Sequence, residues 1–340
     1  MLCIKTTIKG WGLDLKQEII KLKEKLDVTV VAHYYQKDEV FELADIIGDS
    51  LELAKKSSLC KSEYIVFCGV GFMGQSVKII APQKRVLMPR IACCSMARMI
   101  DVAYFDENLA KLNSYGIKNE DILPITYINS SAEVKSRVGQ MGGMVCTSSN
   151  AFKIIEKGLQ SGKKIFFVPD RCLGQNFALK MGLKSCVLGD GTDPKDADII
   201  CYDGFCAVHQ LFRPEDIDFY RQKYPNILVA VHPECDIKVV QKADFVGSTS
   251  QLISYIKGLP KEQKVVVGTE YNMVNRLREE NTYILSSTKP ECPTMNETTL
   301  QDLYDTLKSI EDGNIANEVF VSEDDVYWAN IALQRMFEIN

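Results

Sequence analysis

The sequence predicts an α/β protein built from three similar units, each with a short parallel sheet. Runs rich in β-branched residues alternate with single helical segments, a pattern typical of parallel βαβ units. The motif Ala-Asp-x-x-Gly occurs at 44–48 and again at 243–247, each time before a turn that contains serine. A weaker copy of the same plan ends in the serine-rich turn at 146–150. Repetition of this length favours stacked or symmetric units.

The predicted strands are short apolar runs. They lie at 28–32, 64–68 and 85–88 in the first unit, at 122–127, 144–146 and 164–168 in the second, and at 197–202, 227–231 and 264–267 in the third. The predicted helices show amphipathic periodicity. They lie at 11–26, 40–47, 51–57, 73–80, 106–112, 131–137, 151–160, 174–181, 214–223, 237–242, 251–257, 298–310 and 324–337.

These elements predict three domains. We expect α/β domains at 1–100, 101–190 and 191–292, with the C-terminal helices of 293–340 packing back on the first. The segments between the predicted elements are short and not low in complexity, so the domains should pack tightly.

Composition excludes several classes of protein. Apolar residues make up 46% and charged residues 25% of the 340, and the formal net charge is −5. These values are ordinary for a soluble globular protein and show no basic surface for nucleic acid. The N-terminus lacks the apolar core of a signal peptide, and no apolar run is long enough for a membrane span. We therefore expect a cytoplasmic protein that binds neither nucleic acid nor membrane.

The chain has twelve cysteines, scattered along its length and without a C-x-x-C pair. Scattered cysteines in a cytoplasmic protein of this size do not indicate a disulfide framework, and the missing pair argues against a zinc ribbon or a ferredoxin-type cluster. Most should be small buried apolar residues. A minority could bind metal.

Polar side chains follow several predicted strands directly. The chain has only three histidines, His33, His209 and His232, and two of them stand at strand ends. Because ligands of open α/β sheets bind beyond the carboxyl ends of the strands, these edges could face one site. Glu234 could act as a general base, and Tyr35 and Tyr127 could relay protons.

Three serine turns precede predicted helices, at 48–50, 146–150 and 247–250. Serine in this place caps a helix. The same helix N-terminus can bind a carboxylate or phosphate without a lysine, so the turns would suit a polyanionic substrate.

A series of motifs resembles the quinolinate synthase A family over about residues 28–307. In order they read AHYYQ, ELADIIGDS, FCGVGFM, CCSMARM, TYINSSAEVK, VCTSSNA, PDRCLG, GFCAVH, HPEC, ADFVGSTS, GTE and ECPTMN. The motifs are numerous and ordered, so the resemblance is specific.

The resemblance implies three αβα domains around a pseudo-threefold axis, with the active site at the centre. It also implies a 4Fe–4S cluster held by one cysteine from each domain. By motif match these cysteines are Cys94, Cys206 and Cys292. One iron would then lack a protein ligand and could act as a Lewis acid. Cys93 is interpreted as structural.

The resemblance further implies a transferase with dehydratase steps. It would condense iminoaspartate with dihydroxyacetone phosphate to quinolinate, phosphate and two waters in NAD biosynthesis. The L-aspartate oxidase that supplies iminoaspartate would be a partner.

Site residues follow by motif. Substrate would be bound by His33, Ser50, Asn129, Ser148, His232, Ser248 and Thr249. Proton transfers would be handled by Tyr35, Tyr127, Glu234 and His209. The sequence departs from the family pattern at Gly71, where histidine is usual, and at Gln75, where glutamate is usual.

Two other functions stay open on the residues alone. One is a zinc- or iron-dependent aldolase or hydrolase that uses His33, His209, His232 and Glu234. The other is a non-catalytic iron–sulfur sensor. Metal content and product formation would separate them.

Overall fold

A computed structural model describes the backbone of residues 3–339 and the side chains of residues 14–339. The described chain divides into two compact units. The first holds 1–94 and 293–321, and the second holds 95–292 and 322–340. Each unit is therefore assembled from two separate stretches of sequence.

Residues 3–339 contain thirteen strands, all short. They are β1 (Val28–His33), β2 (Ile46–Gly48), β3 (Tyr64–Cys68), β4 (Arg85–Leu87), β5 (Ile122–Tyr127), β6 (Met144–Cys146), β7 (Lys164–Val168), β8 (Ser185–Val187), β9 (Ile199–Cys201), β10 (Leu228–Val231), β11 (Phe245–Val246), β12 (Val265–Gly268) and β13 (Thr282–Ile284).

The same range contains fourteen α-helices. They are α1 (Cys3–Lys25), α2 (Asp38–Phe41), α3 (Ser50–Ser58), α4 (Gly71–Ile80), α5 (Val102–Ser114), α6 (Ala132–Gln140), α7 (Ala151–Leu159), α8 (Arg171–Met181), α9 (Pro214–Lys223), α10 (Ile237–Gln241), α11 (Thr249–Gly258), α12 (Tyr271–Arg276), α13 (Leu300–Glu311) and α14 (Glu323–Glu338).

The strands form three parallel sheets that repeat one topology. The first sheet has the order β2-β1-β3-β4 and the third β11-β10-β12-β13, while the second is β6-β5-β7-β9-β8. All pairings within them are parallel. The predicted α/β fold of three similar units is thereby confirmed.

The first unit packs α1 and α13 against its sheet. Ile19 and Leu22 of α1 lie in one core with Val30 of β1 and with Leu303 and Leu307 of α13. These residues are buried. They recur at helical spacing in α1 and α13, and that spacing puts each apolar stripe against the sheet.

In the second unit, α14 covers α6 and β6. A Cβ added at Gly139 of α6 would lie 2.1 Å from the carbonyl oxygen of Trp328, so only glycine allows this approach of the two backbones. Arg335 Nη1 also donates to Gly143 O at 2.9 Å. In the structure α13 belongs to the first compact unit and α14 to the second, whereas the sequence places both C-terminal helices on the first domain; the predicted domain division itself stays a prediction.

Two further predictions differ from the structure. The strand predicted at 197–202 was expected to open the third βαβ repeat. It is β9, and it pairs with β7 and β8 of the second sheet. The helix predicted at 40–47 ends at Phe41, and its last residues form β2 instead. β2, β8, β11 and β13, of two or three residues each, were not predicted as strands.

Among residues 3–339, no helix combines the length and apolar character that a bilayer crossing requires.

Candidate active site

A buried carboxylate, Glu234, lies at the centre of a polar cluster in the second unit. Tyr127 Oη donates a hydrogen bond to Glu234 Oε1 at 2.6 Å. His209 Nδ1 lies 2.9 Å from Glu234 Oε2, and His232 Nδ1 lies 3.9 Å from Oε1. The two imidazoles stack with their ring centroids 4.6 Å apart. All four side chains are buried, so proton transfers among them are shielded from bulk water.

Strand ends place this cluster. Tyr127 is the last residue of β5 and His232 directly follows β10, as the sequence predicts. Glu234 stands in the turn between β10 and α10, and His209 opens a 3₁₀ turn at His209–Leu211. Parallel strands bring their carboxyl ends to one edge of a sheet, and ligands bind beyond that edge.

The cluster keeps Glu234 ionised. Burial by itself raises the pKa of Glu234, but His209, His232 and the Tyr127 hydroxyl outweigh it and lower that pKa to about 2. A carboxylate with hydrogen-bond partners and cationic neighbours favours its charged form. Glu234 is therefore a proton acceptor at neutral pH.

A second buried carboxyl, Asp170, behaves in the opposite way. Burial, and then the negative charge of Glu234, raise the pKa of Asp170 well above its usual range. Its Oδ1 accepts a hydrogen bond from Leu173 N at 2.9 Å and caps α8, while its buried Oδ2 has no hydrogen-bond partner among the described residues. Two carboxyls whose pKa values are driven apart are typical of acid–base sites.

The turn after β12 supports both a histidine and a cysteine. Thr269 Oγ1 lies 3.1 Å from His209 Nε2, at hydrogen-bonding distance. The neighbouring Glu270 is fully buried, and its Oε1 accepts from Cys292 N at 3.3 Å while its Oε2 accepts from Met273 N at 3.2 Å. Burial raises the pKa of Glu270 to about 8. Adjacent residues of one turn thus contact His209 and hold the backbone of Cys292.

Three cysteine-containing loops are each tied to the start of a helix by the same kind of backbone hydrogen bond. The bonds run from Gly71 N to Ala92 O at 2.8 Å, from Arg171 N to Gly204 O at 2.9 Å, and from Tyr271 N to Pro290 O at 2.9 Å. In each case the acceptor carbonyl stands two positions before a predicted ligand, Cys94, Cys206 or Cys292. This repeated hydrogen bond makes Cys94, and not its neighbour Cys93, the counterpart of Cys206 and Cys292.

Burial separates the cysteines into two groups. Six are buried, and burial raises the pKa of each of them, as expected for inert core thiols: Cys68, Cys146, Cys172, Cys186, Cys201 and Cys235. Among the described residues, those with some exposure are Cys60, Cys93, Cys94, Cys206 and Cys292. The side chain of Cys3 lies outside the described residues. The three predicted ligands all belong to the accessible group.

Donor atoms for a metal converge at the polar cluster. One ligand atom each of Cys206, His209 and Glu234 lie within 4.8 Å of one another. Thiolate, imidazole and carboxylate are ordinary ligands of zinc and iron. The residues present in the second unit therefore fit a metal centre bound partly through Cys206.

Besides Cys94, three predicted site residues belong to the first unit. His33 ends β1, and its Nδ1 accepts a hydrogen bond from Tyr35 N at 3.1 Å. The His33 and Tyr35 rings meet edge to face at 4.7 Å. His33 pairs with Gly48 across β1 and β2, which brings the start of α3 and Ser50 to the same sheet edge. Asp49, not Ser50, caps α3.

The other predicted substrate contacts lie in the second unit. Asn129 follows β5, and its buried Oδ1 has no hydrogen-bond partner within the described range. Ser148 lies in the turn before α7 without capping that helix. Ser248 does cap α11, where its Oγ accepts from Gln251 N, and Thr249 begins that helix. The predicted serine capping therefore applies to one of the three turns.

Two buried polar residues near the cluster were missed from the sequence. Lys135 of α6 is fully buried, and its Nζ donates to Ile128 O at 2.8 Å and to Ser130 O. These hydrogen bonds stabilise the turn that follows Tyr127. Asn176 of α8 contacts the turn that holds Glu234. Each residue lies within a helix, and nothing in the neighbouring sequence marks it as part of a site.

The two departures from the family pattern lie on α4. A Cβ built at Gly71 would meet only Ala92 O, at an ordinary 3.5 Å. The backbone therefore has room for a side chain there, and glycine is not required by packing. Gln75 is half-buried one turn further along the helix.

Comparison with known proteins gives a consistent result. The family model described as Quinolinate synthetase A protein matches residues 17–338. A Helicobacter pylori protein named quinolinate synthase is 54% identical over 333 residues, covering 96% of this chain and 98% of its own. Proteins of the same name from Acidobacterium capsulatum and Rhodopirellula baltica are each 37% identical, covering 96% of this chain and 93% and 91% of their own.

Proposed function

This chain belongs to the quinolinate synthetase A family and is an enzyme of the quinolinate synthase type, and from that premise we propose its reaction. It condenses iminoaspartate with dihydroxyacetone phosphate, and it releases phosphate and two waters as quinolinate forms for NAD biosynthesis. The observation that carries the proposal is the buried cluster of Tyr127, His209 and His232 around Glu234. Carbon–carbon bond formation, isomerisation, imine closure and two dehydrations all require proton transfer in a shielded site.

The chain's own groups divide the proton transfers. Glu234, ionised by its neighbours, accepts a proton from a substrate carbon or nitrogen. Tyr127 donates a hydrogen bond to Glu234 in the resting site, and we assign to it the transfer of its own proton to a leaving oxygen. His209 lies beside Glu234 with one ring nitrogen and beside Thr269 with the other, and we assign to it a share of these proton transfers. Tyr35 has the corresponding role beside His33.

Substrate anions are bound at the strand ends. We assign the carboxylates and phosphate to His33, Ser50, Asn129, Ser148, His232, Ser248 and Thr249. The start of α11 supports this assignment, because the positive end of a helix dipole attracts anions. At α3 the Asp49 carboxylate already accepts from Leu51 N and Glu52 N.

A 4Fe–4S cluster fits the cysteines of this chain. Cys94, Cys206 and Cys292 would hold it, which agrees with their partial exposure and with the backbone hydrogen bond shared by their loops. When bound, such a cluster would supply an iron with an open coordination position, a Lewis acid toward substrate oxygen or nitrogen. We also propose the L-aspartate oxidase as the supplier of iminoaspartate, and a cytoplasmic location.

The test is anaerobic purification followed by metal analysis and assay. We expect brown protein with about four irons and as many sulfides per chain. It should form quinolinate from enzymatically generated iminoaspartate and dihydroxyacetone phosphate. Cluster-replete protein that forms no quinolinate would reject the reaction and favour the iron–sulfur sensor.

A second candidate function rests on the donor set of Cys206, His209 and Glu234. These residues could hold one zinc or iron ion in an aldolase or hydrolase. Such a protein would carry about one metal per chain and no sulfide, and with zinc it would be colourless. Metal and sulfide analysis therefore decides between the two.

A further inference from the structure

The side chain of Asn176 in helix α8 reaches the turn that carries Glu234. Asn176 Nδ2 donates to Pro233 O at 2.8 Å and to Cys235 O at 2.7 Å. These are the carbonyls on either side of Glu234. Asn176 is 5% exposed, so the side chain shields both hydrogen bonds from bulk water.

The same helix contacts two more loops of the site. At its first residue, Arg171 N donates to Gly204 O, two positions before Cys206. One residue later, Cys172 Sγ accepts a hydrogen bond from the side chain of Gln210, the neighbour of His209, at 3.4 Å. One end of α8 therefore touches the loops of Cys206, His209 and Glu234. The proposed reaction gives this segment, which contains the PDRCLG motif, no role of its own.

Asn176 is well suited to hold a turn. A side-chain amide has two N–H donors, and here both go to the turn of Glu234. The two hydrogen bonds end on the carbonyls of Pro233 and Cys235, the neighbours of Glu234. They therefore restrain the backbone that carries the Glu234 carboxylate. Without it, two buried acceptors lose their donor and the turn can relax.

We propose that Asn176 is a positioning residue for Glu234 in the reaction proposed above. Its amide nitrogen donates to backbone carbonyls and not to the carboxylate itself. It acts by fixing the carbonyls of the residues on either side of Glu234, and so the position of the carboxylate between Tyr127 and His209. Only the expected fall in kcat depends on the proposed function. That Asn176 fixes the position of Glu234 holds whatever reaction the protein catalyses.

The kinetic test uses Asn176→Ala and Asn176→Asp in the cluster-loaded enzyme. The aspartate is isosteric but offers oxygen in place of the donor, so it should be at least as damaging as alanine. A misplacement of catalytic groups by about 1 Å can cost on the order of 100-fold in rate. We therefore expect kcat to fall by a factor of this order, with KM and iron content unchanged.

Ser76→Ala is the matched control. Ser76 is the sixth residue of α4, as Asn176 is of α8, and it is likewise buried. Its Oγ bonds Phe72 O of its own helix at 2.7 Å. Removing this hydroxyl deletes a buried polar group without releasing a site turn, so kcat should stay at the wild-type value.

A spectroscopic test does not depend on activity. The chain has only three histidines, so selective isotope labelling gives one imidazole signal set for each. Asn176→Ala should shift the signals of His209 and His232, which border Glu234, and leave those of His33 unchanged. A merely structural role would lower thermal stability without moving the signals of the native state.

The outcomes are distinguishable. Asn176→Ala or Asn176→Asp with wild-type kcat and unshifted histidine signals would overturn the inference. A loss of activity that only follows a loss of iron or of folded protein would overturn it too. Wild-type protein that forms no quinolinate would reject the proposed function, while shifted His209 and His232 signals in the variant would still support the positional claim.

Discussion

At the scale of single residues, the site is governed by which buried groups are charged. Glu234 stays ionised because two imidazoles and a phenol surround it, and Asp170 is driven toward its protonated form partly by that same charge. The sequence identified Glu234 and both histidines because they follow strand ends. It could not identify Lys135 or Asn176, whose partners come from other elements and appear only after folding.

Removing the charge of Glu234 should stop turnover without removing the cluster. Glu234→Gln keeps an acceptor for Tyr127 but no longer takes a proton. General acid–base groups typically contribute about 10²–10⁴ in rate, so kcat should fall within that range while iron content stays unchanged. Glu215→Gln on the exposed surface of α9 is the control. A wild-type rate for Glu234→Gln would remove this residue from the mechanism.

Lys135 should make stability depend on pH. Burial lowers its pKa from 10.5 to about 7 in the folded protein. Between those values the unfolded chain binds the proton and the folded chain has released it, so the free energy of unfolding rises with pH. The slope is at most about 1.4 kcal/mol per pH unit.

The comparison is with Lys135→Met, which cannot titrate. Denaturant unfolding at pH 7, 8 and 9 should show wild-type stability rising relative to this variant. Lys153→Met removes an exposed lysine and should show no such trend. A constant difference between wild type and Lys135→Met would mean that Lys135 keeps its proton in the folded state throughout.

At the scale of elements, apolar runs predicted the central strands well. The predictions at Tyr64–Cys68, Ile122–Tyr127 and Lys164–Val168 coincide with the strands found. The edge strands β2 and β11, of three and two residues, were missed because so short a run shows little periodicity, although β6 of equal length to β2 was predicted. The partner sheet of β9 was also beyond local sequence, because pairing is decided by tertiary packing.

The repeated loop bond predicts which neighbouring cysteine binds iron. Cys94→Ala and Cys206→Ala should each lose the proposed cluster with little change in fold, because each removes a proposed ligand from a loop that shares the same backbone hydrogen bond. Cys93→Ala is the matched control for Cys94, since it alters an exposed neighbour in the same loop. It should retain its iron. Full iron content in Cys206→Ala, or loss of iron only in Cys93→Ala, would refute the ligand assignment.

At the scale of the whole molecule, the cluster should stabilise the fold. Its proposed ligands are far apart in sequence, and a group that binds only the folded state raises stability. Anaerobic chelation should therefore lower the melting temperature of wild type. Cys94→Ala, which starts without a cluster, should melt near the chelated wild type and not respond. Equal melting temperatures with and without iron would contradict this.

Both compact units are discontinuous in sequence. The first needs residues 293–321 and the second needs residues 322–340 before their cores are closed. During synthesis, the strands of all three sheets have been translated before either unit can be completed. The surfaces of α6 and β6 that α14 covers stay open until α14 has been made, and exposed apolar surface of this kind is prone to misassembly. Both cores therefore close only after the strands of all three sheets have been synthesised.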